Sequence, residues 1–476
     1  MHHSYLSKAL GNGCLLLLSL LLPQMAWAKS TLEGSRPNLV FILADDLGYG
    51  DLGCYGQKSI QTPRLDRMAA EGLRFTQAYA GATVCAPSRC VLMTGLHTGH
   101  GRVRGNGGAT PLAQVLRPED FTVARVLKEA GYDTALIGKW GLGDIGKGEV
   151  GLPTRQGFGY FYGYLNQSHA HNYYPTYLWR NVDKVPLPNV VTNESPTGAG
   201  VATVKAVYSA QLIEEEALEY LRRPKDRPFF LYYAPTLPHA NNEAGRKGME
   251  IPDYGPYASQ PWTDPQKGHA AMVSYLDRSV GRILDLLKEL GLDRNTLVIF
   301  SSDNGPHREG GYDPDFYHSS GMLRGIKRDL YDGGIRVPFL VRWPGTIPAG
   351  RLCQEVVWFP DFLPTAADLA GAKLPKPLDG LSMVSLLQKP GARIRRNSPL
   401  YWEFFEGGFK QALRWDNWKL VRLAKGKTTE LYDLQQDPGE RENLALTHPS
   451  RVRRLTTMLE GCRVDTPDWP VPLSTH

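Results

Sequence analysis

Apolar runs and amphipathic stretches take turns along the chain from about residue 36 to residue 380. NLVFILA, Asn38 to Ala44, is an unbroken apolar run, the pattern of a central parallel strand covered on both faces. TPRLDRMAAEGL follows, with Thr62 as the cap and Pro63 at the first helical position. Three helix-then-strand units come next: FTVARVLKEAGY into DTALIGK, SAQLIEEEALEYLRR into PFFLYYAPT, and HAAMVSYLDRSVGRILDLLKELG into TLVIFSSDNG. This alternation predicts an α/β fold, a large mixed and mostly parallel sheet sandwiched by helices.

The rhythm breaks in three places. From Gly143 to Gly200 it dissolves into Gly, Pro, Asn and aromatics, as in GYLNQSHAHNYYPTYLWRN. A long segment without helix or strand pattern marks a functional loop, and its aromatic density argues against disorder. VCAPSRCVLMTG, Val84 to Gly95, reads as a turn entering a helix with Pro87 at the first helical position. Such a helix start attracts anions. Near the C-terminus, LYWEFF, KQALRW, WKLVRLA and TELYDL are short strand-like runs, and SRVRRLTTMLEGC is helical. They predict a small antiparallel sheet with a closing helix. The expected partition is a leader over 1–28, the main α/β domain over 29–380 and an α+β subdomain over 381–476.

Composition adds limits. With 50 Gly and 35 Pro among 476 residues, the chain needs many turns and is no helical bundle. Lys and Arg number 54 against 48 Asp and Glu, a charge of +6 spread thinly, which excludes a basic nucleic-acid-binding block. Lys8, the apolar CLLLLSLLLP and the small-x-small Ala26-Trp27-Ala28 form a secretory leader. Its apolar core is about half of the ~20 residues that a bilayer span needs, so cleavage is expected. No later segment is long enough to cross a membrane, and the expected location is exported, periplasmic or secreted. Cleavage leaves Cys54, Cys85, Cys90, Cys353 and Cys462, an odd set in an oxidising compartment. None forms a Cys-x-x-Cys zinc pair, and Cys85 is the natural thiol to be unpaired or altered.

In open α/β sheets, ligands bind beyond the carboxyl ends of the strands. There the sequence places Asp45-Asp46 after NLVFILA, Asp303-Asn304 after TLVIFSS, Lys139 after DTALIG and His239 after PFFLYYAPTLP. Asp45, Asp46, Asp303 and Asn304 are hard oxygen donors, which points to Ca²⁺, ahead of Mg²⁺, rather than zinc. Adjacent aspartates on a strand face opposite ways. Convergence on one ion requires leaving strand geometry, and Gly48 and Gly50 are expected to supply the turn.

CAPSRCVLMTG, LADDLG, GYDTALIGKW, SSDNG and LRGIKRDLYDGGIRVP together resemble the type I, formylglycine-dependent sulfatases of the alkaline-phosphatase-like superfamily, bacterial exported polysaccharide sulfatases above all. The resemblance runs in order from about Arg36 to the C-terminus. It implies an alkaline-phosphatase-like fold and oxidation of Cys85 to formylglycine by a dedicated maturase. It further implies that the hydrated aldehyde attacks sulfur and that its second hydroxyl then expels sulfate. Asp45, Asp46, Asp303, Asn304 and the modified Cys85 match the family's Ca²⁺ ligands. Arg89 matches the diol's partner, Lys139 and Lys327 the cations on sulfate, and His239 the acid that protonates the leaving alkoxide. Many members read Gly-Lys-Trp-His where this chain has GKWG, so Gly141 replaces a histidine that contacts the diol. His100, His169 and His171 are the candidates to stand in. Asp332 occupies a position where glutamate is frequent, with little expected consequence.

QSHAHNYYP, GPHREGG and LYWEFFEGG interleave aromatics with carboxylates and histidines, as a sugar site requires. They nominate His171, His307, Glu309 and Glu403 as contacts for a sulfated carbohydrate of galactose or N-acetylgalactosamine type. Two other readings stand beside this one. They are a formylglycine-dependent phosphodiester or phosphonate monoester hydrolase, and an inactive protein that binds sulfated glycans.

Overall fold

The computed structural model describes residues 32–146, 149–374, 377–424 and 429–471, so the expected leader lies outside the described residues. Strand Asn38–Ala44 is buried along its whole length because it divides two helical layers. Leu39, Phe41 and Leu43 enter one core with helices Cys85–Thr94, Val123–Glu129 and Phe362–Ala370. Val40, Ile42 and Ala44 enter the opposite core with Pro63–Ala70, Ser209–Arg222 and Asp264–Glu289. A strand with helices on both faces must be apolar at every position, which is why NLVFILA does not alternate.

Ten strands make the main sheet, in the order 351–353, 73–75, 339–342, 296–302, 38–44, 229–234, 133–139, 160–164, 177–180 and 183–186. The run from 296–302 through 160–164 is parallel, whereas 339–342, 177–180 and 183–186 are antiparallel to their neighbours. Mixed but mostly parallel, this is the expected fold class. Register matters for function: Ala44 pairs with Ser302, and Ala234 with Gly138. Four neighbouring strands therefore end level at one rim.

Two expectations need correction. The 143–200 segment is not without strands: 160–164, 177–180 and 183–186 complete one edge of the main sheet. Its strands are short, and Gly163 interrupts one of them with φ 141, where a Cβ would stand 2.1 Å from Gly138 O. Helix Cys85–Thr94 starts at Cys85, with Val84 as its cap, so Pro87 is at the third helical position. The first-turn N–H groups have no intrahelical acceptor, and a proline there removes no bond.

The C-terminal sheet is antiparallel, in the order 400–404, 410–415, 418–422 and 429–433. Tyr401, Leu413, Leu420 and Leu431 on one face meet Leu455 and Leu459 of helix Pro449–Glu460. On the other face, Trp402, Phe404 and Val421 pack with Tyr79, Val84 and Trp358. The sheet thus leans on the residue that caps the Cys85 helix. All five described cysteines are free thiols, so pairing does not single out Cys85. Among the described residues, no helix is long and apolar enough to cross a membrane.

Candidate active site

The aspartates are set by strand pairing. Asp303 N donates to Ala44 O at 3.1 Å, and Asp46 N donates to Asp303 Oδ1 at 3.0 Å. Strand alternation would send Asp46 to the face opposite Asp45. Asp46 instead takes φ +65, a left-handed conformation that aspartate tolerates better than most residues. Both carboxylates then reach Cys85, whose Sγ lies 3.3 Å from Asp45 Oδ1 and 3.9 Å from Asp46 Oδ1. Gly48 and Gly50 lie in the turn that follows, where Asp51 N donates to Gly48 O at 3.2 Å, and do not make the convergence themselves. They admit a neighbouring backbone: a Cβ would stand 2.2 Å from Ser319 O at Gly48 and 2.4 Å from His318 O at Gly50.

Three cations lock this cluster. Arg89, one turn beyond Cys85, donates from Nε and Nη2 to Asp303 Oδ2 at 3.0 and 2.8 Å, and from Nη1 to Lys139 O at 3.1 Å. Lys139 Nζ is 2.7 Å from Asp45 Oδ2. Lys327 Nζ is 2.8 Å from Asp46 Oδ2 and 2.9 Å from Glu309 Oε2. His239 donates from Nδ1 to Ala240 O at 2.6 Å, which leaves Nε2 to accept from Lys327 Nζ at 3.3 Å. His171 stacks on His239 with ring centroids 5.0 Å apart and pairs with Glu243 at 3.2 Å. His307 is buried beside them and accepts Glu309 N–H at Nδ1, 3.0 Å away.

Burial and charge set the protonation states. Burial raises Asp45, but Lys139 and then Arg89 overcome it and hold the carboxyl well below its usual range. Asp46 is lowered too, its burial offset chiefly by Lys327. Asp303 moves the other way, pushed up to about 7 by burial and then by the like charge of Asp45. Burial and Asp45 also raise the Cys85 thiol well above its ordinary value, so it is a protonated donor rather than a nucleophile. Burial, and then Lys327, lower His239 to about 3, and its imidazole rests neutral.

These residues fit a hard divalent cation. Asn304 Oδ1 is buried without a hydrogen-bond partner, while Nδ2 donates to Asp46 Oδ1 at 2.7 Å. An orphaned amide oxygen on the residue that touches Asp46, next to an Asp303 carboxyl lifted by burial and then by Asp45, is a hard oxygen donor set with a valence left for a cation. Ligand atoms of Asp45, Asp46, Cys85 and His239 lie within 4.8 Å of one another.

Glu403 does not join the site. Its buried carboxylate is 3.1 Å from Arg104 Nη1 and 2.9 Å from Arg463 Nε, so it is the counterion of two arginines and not a substrate contact. His100 pairs with Asp379 at 2.9 Å, and His169 is enclosed by Tyr164 and Tyr177. The neighbour of Gly141 is Gln167 instead. Gly141 has φ +78, and a Cβ there would lie 2.1 Å from Gln167 Nε2. Sequence reasoning missed Gln167, and it missed Asn106, whose Oδ1 accepts Ala86 N–H at 3.1 Å. Each is a lone amide in a loop, with only the turn-like contexts LNQS and RGNGG as a signal.

The sulfatase family profile matches residues 37–372, and that of the N-sulphoglucosamine sulphohydrolase C-terminal region matches residues 326–463. Arylsulfatase A of Homo sapiens is 36% identical, covering 88% of this chain and 85% of its own. N-acetylgalactosamine-6-O-sulfatase of Bacteroides thetaiotaomicron is 29% identical, covering 90% and 94%. The crystal structure of Ps i-CgsB in complex with k-i-k-neocarrahexaose superposes with a TM-score of 0.75 at 26% identity, covering 92% of this chain and 95% of that one. On the family match and the identity to arylsulfatase A, this chain belongs to the sulfatase family and is a sulfuric ester hydrolase.

Proposed function

We propose that this sulfatase hydrolyses sulfate esters of carbohydrates of the galactose or N-acetylgalactosamine type, with Cys85 converted to formylglycine and Ca²⁺ at the aspartate cluster. One observation carries the reading: Asp45, Asp46, Asp303, Asn304 and Cys85 meet three buried cations where the parallel strands end. The four oxygen-bearing residues would hold the ion, which supplies the charge that draws in an anionic ester and acidifies an adjacent hydroxyl. Hydrated formylglycine at position 85 supplies the nucleophilic hydroxyl that a protonated thiol cannot.

The chain's own residues do the rest. Arg89 ties the first turn of the Cys85 helix to Asp303 and keeps the carboxylates in register. Lys139 and Lys327 offset the ester's negative charge as it moves toward the leaving oxygen. His239 and Lys327 hold one transferable proton between Nε2 and Nζ, available to the departing alkoxide. Glu309 is bridged by Lys327 and by Arg328, whose Nη1 is 2.6 Å from Oε1, and with the partly exposed His171 it offers the sugar hydrogen bonds, while the buried His307 holds the Glu309 backbone from behind. The names of two similar proteins support a sugar: one is an N-acetylgalactosamine-6-O-sulfatase, and the other was crystallised with k-i-k-neocarrahexaose. The leader-like N-terminus supports export, to the periplasm or beyond, and the maturase is the partner that the chemistry requires.

Matured enzyme is expected to release sulfate from sulfated galactose or N-acetylgalactosamine oligosaccharides faster than it splits an aryl phosphodiester. The peptide carrying residue 85 is expected to have the mass of formylglycine. Fully active protein with an intact thiol there would overturn the mechanism, and a strong preference for the diester would overturn the substrate class.

A further inference from the structure

We infer that Asn106 is a substrate-binding residue of this site, its side-chain amide donating to the anionic end of the ester at the mouth of the Cys85 helix. The inference rests on the sulfate-ester reading and adds a residue to it. A carboxamide has one acceptor oxygen and two donor hydrogens. The oxygen of Asn106 is committed to Ala86 N–H at 3.1 Å, a first-turn donor with no acceptor inside the helix. Oxygen and nitrogen share one planar group, so anchoring the oxygen holds the nitrogen beside the turn that carries residue 85. That nitrogen finds no acceptor among the described residues. Asn106 is half-buried, and the next two residues, Gly107 and Gly108, are exposed, which puts the amide at a rim open to solvent.

The loop bearing Asn106 is clamped from behind by the C-terminal segment. Trp469 donates from Nε1 to Arg102 O at 2.9 Å. Its ring packs closely on two of the loop's glycines, since a Cβ would stand 2.9 Å from it at Gly105 and 3.2 Å at Gly108. Asp468 accepts Ala109 N–H at its carbonyl oxygen, 3.0 Å away, and the Thr110 hydroxyl at Oδ1, 2.6 Å away. Arg104, two residues before Asn106, is fully buried between Glu403 and Val464 O. The buried Glu403 thus serves the active site at one remove, as part of the brace that positions Asn106. A helix cap needs only the oxygen. The braced loop also holds a donor where the reacting anion must come.

Asn106→Asp separates the two roles. Aspartate keeps an oxygen for Ala86 N–H and places negative charge at a helix start, which favours the fold. It loses the donor and opposes the anion. The melting temperature is expected to equal or exceed that of wild type. kcat/KM on a sulfated oligosaccharide is expected to fall on the order of a hundredfold, mostly through KM. Asn106→Ala is expected to lower kcat/KM on the order of tenfold, again through KM. An aspartate variant within about threefold of wild type would overturn the inference, because a simple cap tolerates aspartate. So would an alanine variant with unchanged KM, which would reduce the aspartate effect to repulsion at a distance. A wild-type enzyme that releases no sulfate would overturn the inference together with the function it rests on, whereas an active wild type with insensitive variants overturns the inference alone.

Discussion

The charged cluster at the strand ends and the one at the junction with the C-terminal sheet are equally shut off from water, yet they are finished differently. At the junction, Lys419 Nζ lies 2.7 Å from Asp332 Oδ1 and 2.8 Å from Glu440 Oε1. Asp332 Oδ2 accepts the Tyr79 hydroxyl at 2.7 Å, and Asp332 N donates to Glu440 Oε2 at 2.6 Å. Each carboxylate oxygen there faces a cation or a donor. At the strand ends the carboxylate oxygens are met as well, by Arg89, Lys139, Lys327 and neighbouring donors, but the amide oxygen Asn304 Oδ1 faces neither. Buried charge alone is structural as often as functional. Buried valence left unmet is what separates a site from a rivet.

The largest effects come from removing one member of each cluster. Asp303→Ala deletes an oxygen donor and the partner of Arg89. Calcium affinity and turnover are expected to fall together, turnover by at least about a hundredfold, while the fold survives. Lys419→Met leaves Asp332 and Glu440 buried without their cation, and is expected to cost about 3–5 kcal/mol in urea unfolding. Its folded fraction keeps wild-type calcium affinity and kcat. Unchanged calcium titration in the first variant, or lost kcat at full stability in the second, would erase the distinction.

A smaller effect tests the proton-bearing pair at the strand ends. His239→Ala removes the ring that Lys327 donates to. Sugar sulfates, whose alkoxides leave poorly, are expected to slow by about 10²–10⁴, and a nitrophenyl sulfate far less, because its leaving group needs no proton. Equal slowing of both substrates would remove His239 from proton transfer and leave it a binding role.

The two clusters were not equally legible in the sequence. A strand buried on both faces stays apolar to its last residue, so the first charges after each run mark the rim, and Asp45, Asp303 and Lys139 could be read directly. The need for a turn was legible, but not that Asp46 itself makes it, because its backbone is held by Asp303, far along the chain. Glu403 misled for a related reason. Strand 400–404 alternates, so Glu403 shares a face with Tyr401, which meets the closing helix, and the aromatic neighbours that suggested a sugar belong to packing. The brace on Asn106 joins residues more than 350 positions apart, from Arg102 to Trp469, and no local pattern announces it. The edge strands within 143–200 were lost to shortness and glycine, although their aromatic content correctly argued against disorder.

The smallest predicted effect isolates the junction by its response to pH. Burial raises Glu440, Lys419 offsets part of that, and the like charge of Asp332 brings the carboxyl from 4.5 to about 7. The folded protein therefore holds an extra proton between those values. Glu440's contribution to stability is full below about pH 4.5 and declines as pH rises to about 7. Asp332 runs the opposite way: burial raises it, but Lys419 and then Arg336 bring it from 3.8 to about 2, so its contribution is lost only as pH falls through that lower window. Glu440→Gln keeps an acceptor for Asp332 N–H but cannot ionise. Its unfolding free energy from urea titration is expected to decline less than that of wild type from pH 5 to 8, a difference of roughly 1–3 kcal/mol. Saturating calcium, bound at the strand ends as proposed, is expected to leave the junction untouched. A slope that persists in Glu440→Gln but disappears with calcium would therefore move the pH sensitivity from the junction to Asp303, and with it the claim that only one of the two clusters is complete without a ligand.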